Sequence, residues 1–271
     1  MPSVVVYDSF DDLRCADMRF VHEASRLGEV HVLLWPDETV AAITGRPPLF
    51  PLAERLYLVQ AMRFVSRVIV APPAADADIL PEVPDGHFDV WALRQSQDSP
   101  GKRRFCASRK MACEVIPDGR LEGYPPVPAA AARPGARKVI VTGCYDWLHS
   151  GHVRFFEEAS EYGLLYVVVG NDANVAMLKG AGHPKFPQEH RRYMVQAVRY
   201  VHEALIAGGM GWLDAEGEIQ RIRPDVYIVN EDGDKPEKRD YCRAQGIEYL
   251  VLRRLPRAGL PRRQSTVLRG Y

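Results

Sequence analysis

The chain is poor in the features that would staple a fold together. Its five cysteines, Cys15, Cys106, Cys113, Cys144 and Cys242, are odd in number and scattered. Without zinc-type spacing they exclude a disulfide framework or a zinc ribbon and fit the reduced thiols of a cytoplasmic protein. Net charge is missing as well, with 35 Lys and Arg against 35 Asp and Glu. A neutral chain has no global field with which to gather nucleic acid or coat an anionic membrane, although a local basic cluster can still meet a small phosphorylated ligand. No apolar run approaches the roughly 20 residues of a membrane span. The opening "MPSVVVYD" has a strand pattern where a signal peptide would place a basic segment and then a longer apolar one. Neither nucleic acid nor membrane is therefore an expected partner. What the chain does have is a hydrophobic content of 46% over 271 residues, enough for a sizeable core and at odds with disorder.

It also has itself twice. The segment "VVVYDSFDDLRCADMRFVHEASRLGEVHVLLWPDETVAAITG" from Val4 aligns without a gap with "VIVTGCYDWLHSGHVRFFEEASEYGLLYVVVGNDANVAMLKG" from Val139. With one residue inserted near Gly182 the register continues. "FPLAERLYLVQAMRFV" lies over "FPQEHRRYMVQAVRYV", and "FDVWALRQSQDSPGKRRFC" over "PDVYIVNEDGDKPEKRDYC". Gln60 pairs with Gln196, Asp89 with Asp225, Lys102 with Lys238 and Cys106 with Cys242. Shared periodicity alone does not produce such a run of identities, and the chain reads as a tandem duplication. Between the copies, the Pro-, Gly- and Ala-rich stretch around "YPPVPAAAARPGAR" carries no amphipathic period and reads as a linker. The expected organisation is a first domain over residues 1–117, a linker over 118–136 and a second domain over 137–271.

In the second copy, short apolar runs at Val139–Thr142, Leu165–Val169, Ala204–Ile206, Val226–Val229 and Tyr249–Leu252 suit strands buried on both faces of a parallel sheet. Helical periods fall between them, among them Met194, Val198 and Val201 opposite Arg191, Arg192 and Arg199. The expected fold is α/β: two tandem Rossmann-like, doubly wound parallel-sheet domains, with ligands at the carboxyl ends of the strands.

The chemistry concentrates in "VIVTGCYDWLHSGHVRFFEEA", which reads as strand, loop and helix. His149 and His152 fall on one face at the start of that helix, being three positions apart. Free backbone N–H groups and the positive end of the helix dipole point to the same place. Gly151 removes a side chain where a phosphate would approach closely, and Thr142 and Gly143 would line the floor. Two imidazoles at a helix N-terminus suit the charge that builds on a phosphoryl group in transfer, and no nucleophilic residue is needed.

Here the sequence resembles the nucleotidyltransferase superfamily of glycerol-3-phosphate, phosphocholine and phosphoethanolamine cytidylyltransferases and heptose-phosphate adenylyltransferase. "GCYDWLHSGHVRFFEEA" is similar to its G-x-F-D-x-x-H-x-G-H-x-x-x-L-x-x-A signature, with Tyr145 in place of phenylalanine. "NDANVAMLKGAGHP", "PQEHRRYM", "RPDVYIVNEDG" and "RRQSTVLRG" are similar to the segments that follow. Asn230 and Glu231 stand where glycine is usual, and Arg263 and Gln264 replace an isoleucine and a serine.

The resemblance implies catalytic roles for His149, His152 and Lys179. It implies nucleotide contacts for Thr142, Gly143, Cys144, Tyr145, Gly151, Arg191, Asn230, Asp232, Ser265 and Thr266. Implied too is transfer of a nucleoside monophosphate from CTP or ATP to a phosphorylated small molecule, a sugar phosphate or a phosphoalcohol, with release of pyrophosphate. Mg2+ is the expected cofactor, carried by the phosphates without a protein cage. Family members commonly act as dimers, so an intrachain pseudo-dimer is expected, with a further homodimer open.

The first copy departs at these very positions. Arg14, Asp17, Asp8 and Thr44 stand where His149, His152, Gly143 and Lys179 stand in the second. An aspartate facing a triphosphate is repulsive, so the first half is expected to keep the fold without the activity. The tandem form resembles phosphoethanolamine cytidylyltransferase and favours CTP, while "LKGAGHP" leans toward the ATP-using heptose-phosphate type. From another class, a nucleotide-sensing protein without turnover remains open; aminoacyl-tRNA ligation, which shares an H-x-G-H element, lacks its anticodon-binding appendage here. Asp146, matched by Asp11, reads as a loop residue, Trp147 and Trp212 as packing with stacking on a base as the alternative, and "KPEKRDYC" as a solvated helix face. "NEDGDKPE" has its glycine at the wrong step for a calcium loop.

Overall fold

The computed structural model describes residues 1–84, 86–132 and 134–263. The chain divides into two units after Gly123. In the first, β1 (Ser3–Asp8), α1 (Cys15–Ala24), β2 (Glu29–Leu34), α2 (Asp37–Thr44), α3 (Leu52–Gln60) and β3 (Arg67–Val70) precede β4 (Val90–Arg94), α4 (Pro100–Arg109) and β5 (Ala112–Ile116). In the second, β6 (Lys138–Gly143), α5 (Ser150–Ser160), β7 (Leu164–Val169), α6 (Asp172–Lys179) and α7 (Gln188–Gln196) come first. Then follow β8 (Glu203–Ile206), α8 (Glu216–Ile222), β9 (Val226–Asn230), α9 (Pro236–Gln245) and β10 (Glu248–Leu252). Each expected strand of the second copy lies within an observed one.

The sheets are five-stranded, in the orders β3-β2-β1-β4-β5 and β10-β9-β6-β7-β8, and every pairing is parallel. From its own first strand, each unit thus runs 3-2-1-4-5. The order reverses beside the first strand, the crevice where open parallel sheets hold ligands. Central strands read as continuous apolar runs because helices cover both faces: Val139, Ile140 and Val141 are buried, as are Val4, Val5 and Val6. In the second unit Ile140, Val168, Tyr227 and Val229 pack with Ile219, Ile222 and Cys242 of the helices on one face.

Hydrogen bonds repeat with the topology. The Asp11 carboxylate accepts the backbone N–H groups of Leu49 and Phe50, both at 2.9 Å. That of Asp146 accepts those of Lys185 at 2.8 Å and Phe186 at 3.0 Å. Ser3 N–H donates to Asp89 at 2.7 Å, and Lys138 N–H to Asp225 at 2.7 Å.

The segment expected as a linker is shared between the units. Arg120 pairs with Glu23 at 3.0 Å, and Tyr124 stacks on His190 with ring centroids 5.6 Å apart. Helix α7 stops at Gln196, short of the expected period, and the Gln196 amide donates to His202 O at 3.2 Å and accepts the N–H of Ala204 at 2.5 Å. Val198 and Val201 are still buried beyond it. Among the described residues no helix is long and apolar enough to cross a membrane.

Candidate functional site

Strand β6 ends at Gly143, where a bend leads into α5. A Cβ at Gly143 would lie 2.7 Å from the Tyr145 ring, so the absence of a side chain lets that ring fold back over the strand end. Tyr145 takes a left-handed backbone (φ 52°), as Phe10 does at the matching place in the first unit (φ 47°). Such a conformation for an aromatic residue costs on the order of 1–3 kcal/mol and persists where the surroundings enforce it. Asp146, bonded to Lys185 N and Phe186 N, supplies that enforcement.

His149 is the N-cap of α5 (φ −142°, ψ 173°), and its Nδ1 accepts the N–H of Gly151 at 3.1 Å. Histidine here does the work usually given to Ser, Asp or Asn. Since Nδ1 accepts, the proton of the neutral ring sits on Nε2. That buried atom finds no hydrogen-bond partner among the described residues, nor does Nδ1 of His152. The two rings stack with centroids 3.9 Å apart and 25° between planes, and Tyr145 meets His152 edge-on at 5.4 Å.

Burial lowers the His149 pKa to about 3, helped by the positive charge of Arg254 and Arg263. Burial also holds His152 well below its ordinary value, with His149, Arg254 and Lys179 acting in the same direction. Both imidazoles are therefore neutral near pH 7. They present polar edges to a rim that already carries cations.

A cavity of about 340 Å³ opens on His152. It brings together Thr142, Gly143, Cys144, Tyr145, Gly151, His152, Lys179, Asn230 and Asp232 of the expected set. Lys179 is exposed at the end of α6, and Thr142 Oγ1 shares a hydrogen bond with the Tyr227 hydroxyl at 2.8 Å. His149 lies immediately behind, only 2% exposed.

Arg191 is placed elsewhere. Its guanidinium donates to Phe186 O at 2.9 Å, Cys144 O at 2.7 Å and Asp172 Oδ1 at 2.6 Å, so its donors fasten the loops under the cavity and do not face it. Arg55 bonds Phe50 O, Ser9 O and Asp37 in the same way in the first unit. Ser265 and Thr266 lie outside the described residues.

Lys238, Phe155 and Arg254 are among the lining residues not assigned a site role from the sequence. Lys238, expected on a solvated helix face, is half-buried and lines the cavity; its retention beside Lys102 was the available signal. Phe155 supplies apolar wall one turn into α5. Arg254 reaches in from beyond β10 and pairs with Asp232, a contact that sequence spacing does not reveal.

The matching place in the first unit is occupied by its own charges. Arg94 pairs with Asp17 at 2.8 Å and with Asp8 at 3.6 Å, and Gln97 donates to Asp8 at 2.8 Å. Arg14 turns away to pair with Asp12.

A family model described as cytidylyltransferase-like matches residues 140–253. An FAD synthase of Ferroglobus placidus is 38% identical over 120 residues, covering 43% of this chain and 75% of that protein. The chain belongs to the cytidylyltransferase-like family. The FAD synthase of Thermococcus kodakarensis is 37% identical over 119 residues, 43% of this chain and 78% of that protein. The bifunctional protein HldE of Methylococcus capsulatus is 41% identical over 101 residues, but the match spans only 21% of that longer protein. The family member described here is accordingly a nucleotidyltransferase, and its matched residues include His149, His152 and all the cavity lining except Arg254.

Proposed function

We propose that the second unit transfers AMP from ATP to a phosphorylated small molecule, and that the first unit is a duplicated, catalytically silent copy. The observation that carries the reading is the neutral, stacked pair His149 and His152. An unpartnered Nε2–H of His149 sits at the head of α5, directly behind His152, which lines a cavity rimmed by Lys179, Lys238 and Arg254. ATP replaces CTP, which the tandem arrangement favoured, because relatives at 37–38% identity are FAD synthases, whose product carries an adenylyl group.

In the proposed reaction a phosphate oxygen of the acceptor attacks the α-phosphorus in line. A new P–O bond forms, the bond from the α-phosphorus to the bridging oxygen breaks, and pyrophosphate leaves with that electron pair. The Nε2–H of His149 donates to an α-phosphate oxygen as charge gathers there, and His152 faces the same group. The N–H groups at the start of α5 add the positive end of its dipole. Lys179 neutralises the phosphates from the opposite rim. Ser265 and Thr266, with the C-terminal segment, remain assigned to the triphosphate tail.

Mg2+ would arrive with the triphosphate and offset its charge. Among the described residues no cluster of three His, Cys, Asp or Glu groups could hold a metal. The cavity carboxylates are engaged, Asp146 by backbone N–H groups and Asp232 by Arg254. That donor set fits a metal held mainly by nucleotide oxygens and water.

The silent first unit is supported by its ionic plug. Two carboxylates, Asp8 and Asp17, occupy the place of Gly143 and His152, and both are already bound by Arg94. The test is the purified chain with Mg2+, α-labelled ATP or CTP and a panel of phosphate esters. Label should pass from ATP to the acceptor with equal release of pyrophosphate. Transfer from CTP in preference to ATP, or none from either, overturns the reading.

A further inference from the structure

A second cavity of about 200 Å³ adjoins the first, and the two share Thr142, Lys179 and Lys238. Its far side holds Asn174, Trp212 and Asp214, with Lys235 at the edge. Asp214 and Lys238 align with Asp78 and Lys102 of the first unit. There the two form a direct ion pair, Nζ to Oδ1 2.8 Å, reinforced by Ser99 Oγ at 2.9 Å.

In the second unit the pair is split. The buried Asn174 donates from Nδ2 to Asp214 Oδ2 at 2.7 Å and to Gly211 O at 3.1 Å, and accepts from Gly211 N at 2.7 Å. Asp214 is thereby tied to its own loop. Lys238 turns instead to Gly233 O at 3.3 Å and makes no ion pair among the described residues. In the first unit Thr39 replaces Asn174, and its hydroxyl is taken by Ala74 N at 2.9 Å. The half with the histidines therefore holds open a charge pair that the other half closes, and both separated charges line the cavity.

We infer that Lys238 and Asp214 form the acceptor subsite, and that the acceptor is a compact, uncharged sugar or polyol carried on a phosphate. This rests on the nucleotidyl transfer proposed above. Lys238 and Lys179 reach the acceptor phosphate where the two cavities meet, next to the α-phosphate it attacks. Asp214 accepts hydrogen bonds from hydroxyl groups of the acceptor body, and Trp212, 43% exposed, offers that body a flat apolar wall. Three lysines around the space disfavour a cationic body such as an amino alcohol. The volume lies below the roughly 300–1,000 Å³ typical of clefts for drug-sized ligands, which disfavours a flavin. Burial raises the pKa of Asp214 and lowers that of Lys238, as suits two charges separated inside a fold.

The experiment measures binding by calorimetry, with and without α,β-methylene ATP. The probes are glucose 1-phosphate, ribose 5-phosphate, glycerol 3-phosphate, phosphoethanolamine and riboflavin 5′-phosphate. The proteins are the whole chain and its Asp214→Asn, Lys238→Met and Asn174→Thr variants, each checked by thermal melting and near-UV circular dichroism. At least one sugar or polyol phosphate should bind best, and Asp214→Asn should weaken it tenfold or more. Asn174→Thr, which frees Asp214 to close on Lys238, should do the same without removing either charge. A preference for phosphoethanolamine or riboflavin 5′-phosphate, no binding of any sugar or polyol phosphate, or affinities unmoved in all three variants overturns the subsite. Failure of the wild-type chain to bind the ATP analogue strikes the transfer reading instead, while the binding data without nucleotide still judge the subsite.

Discussion

Nδ1 of His149 accepts the N–H of Gly151, two residues on, at 3.1 Å. One bond thus caps the helix, fixes the tautomer and leaves Nε2–H as the free donor. A Cβ at Gly151 would lie 2.9 Å from Cε1 and 3.0 Å from Nδ1 of the same ring. Gly151→Ala should therefore push the imidazole aside and lower turnover by tenfold or more, with both histidines still in place. Pyrophosphate release under single-turnover conditions checks this, and unchanged rates would show that the ring position is not set by this contact.

Removing either imidazole should cost more. His149→Ala is expected to reduce kcat a hundred- to a thousandfold, about 3 to 4 kcal/mol of barrier, as for the loss of one oriented donor to a developing charge, and His152→Ala, which removes the ring stacked on it, should also lose most turnover. The fold should survive, because the core beneath α5 rests on Val153, Phe156 and Ala159. Steady-state kinetics beside far-UV circular dichroism would test both halves of the statement.

For Arg191 the expectation is of another kind. Its guanidinium is 1% exposed and satisfies two carbonyls and a carboxylate. Arg191→Ala leaves those acceptors without their buried donor and should lower stability by about 3 kcal/mol or more. Arg55→Ala should do likewise in the half that carries no histidine pair. A denaturant midpoint close to wild type in either variant would refute the structural role.

Acidification should weaken the fold. Burial holds His149 at about 3, and His22 and His190 at about 4, against an ordinary 6.5. Unfolded, these groups bind protons that the native state refuses. The stability from keeping them neutral is thus complete above pH 6.5 and lost progressively as pH falls toward the folded values. Asp17 acts oppositely: burial raises it to about 6, so the native state takes its proton first, and that term weakens stability as pH rises from about 4 to 6. The four lowered imidazoles outweigh the two raised carboxyls, Asp17 and Asp214, and the urea midpoint should fall from pH 7 to pH 5. A higher midpoint at pH 5 would contradict the balance.

The same neutrality bears on catalysis. The pH profile of kcat/KM reports ionisations of the free enzyme. With both site imidazoles uncharged down to acidic pH, no step near pH 6.5 should be traceable to them. A limb near 6.5 in the wild type that vanishes in His152→Gln would show that one of them titrates in the normal range.

Much of this was readable in the sequence for identifiable reasons. Runs such as Val139–Thr142 and Leu165–Val169 are strands because parallel strands covered on both faces must be apolar throughout, and that leaves a plain trace. The spacing of His149, Gly151 and His152 marks a helix mouth because a cap, a close approach and a second imidazole are all local. Arg191 misled because a guanidinium on a helix start looks the same whether it points at a ligand or at a carbonyl. Lys238 was hidden for the complementary reason: a lysine on a polar helix looks solvated until the loop with Asp214 closes over it. Arg254 and Asp232 meet only through the pairing of β9 with β10, a relationship between distant segments.

The Arg191 fastening joins the turn after β6 to the start of α6 and to the loop before α7 through atoms that no ligand must displace. The floor of the cavity is consequently held in shape by the protein's own bonds. Little ordering entropy is left to be lost there when substrate arrives, and adjustment on binding falls to the long cationic side chains around the opening.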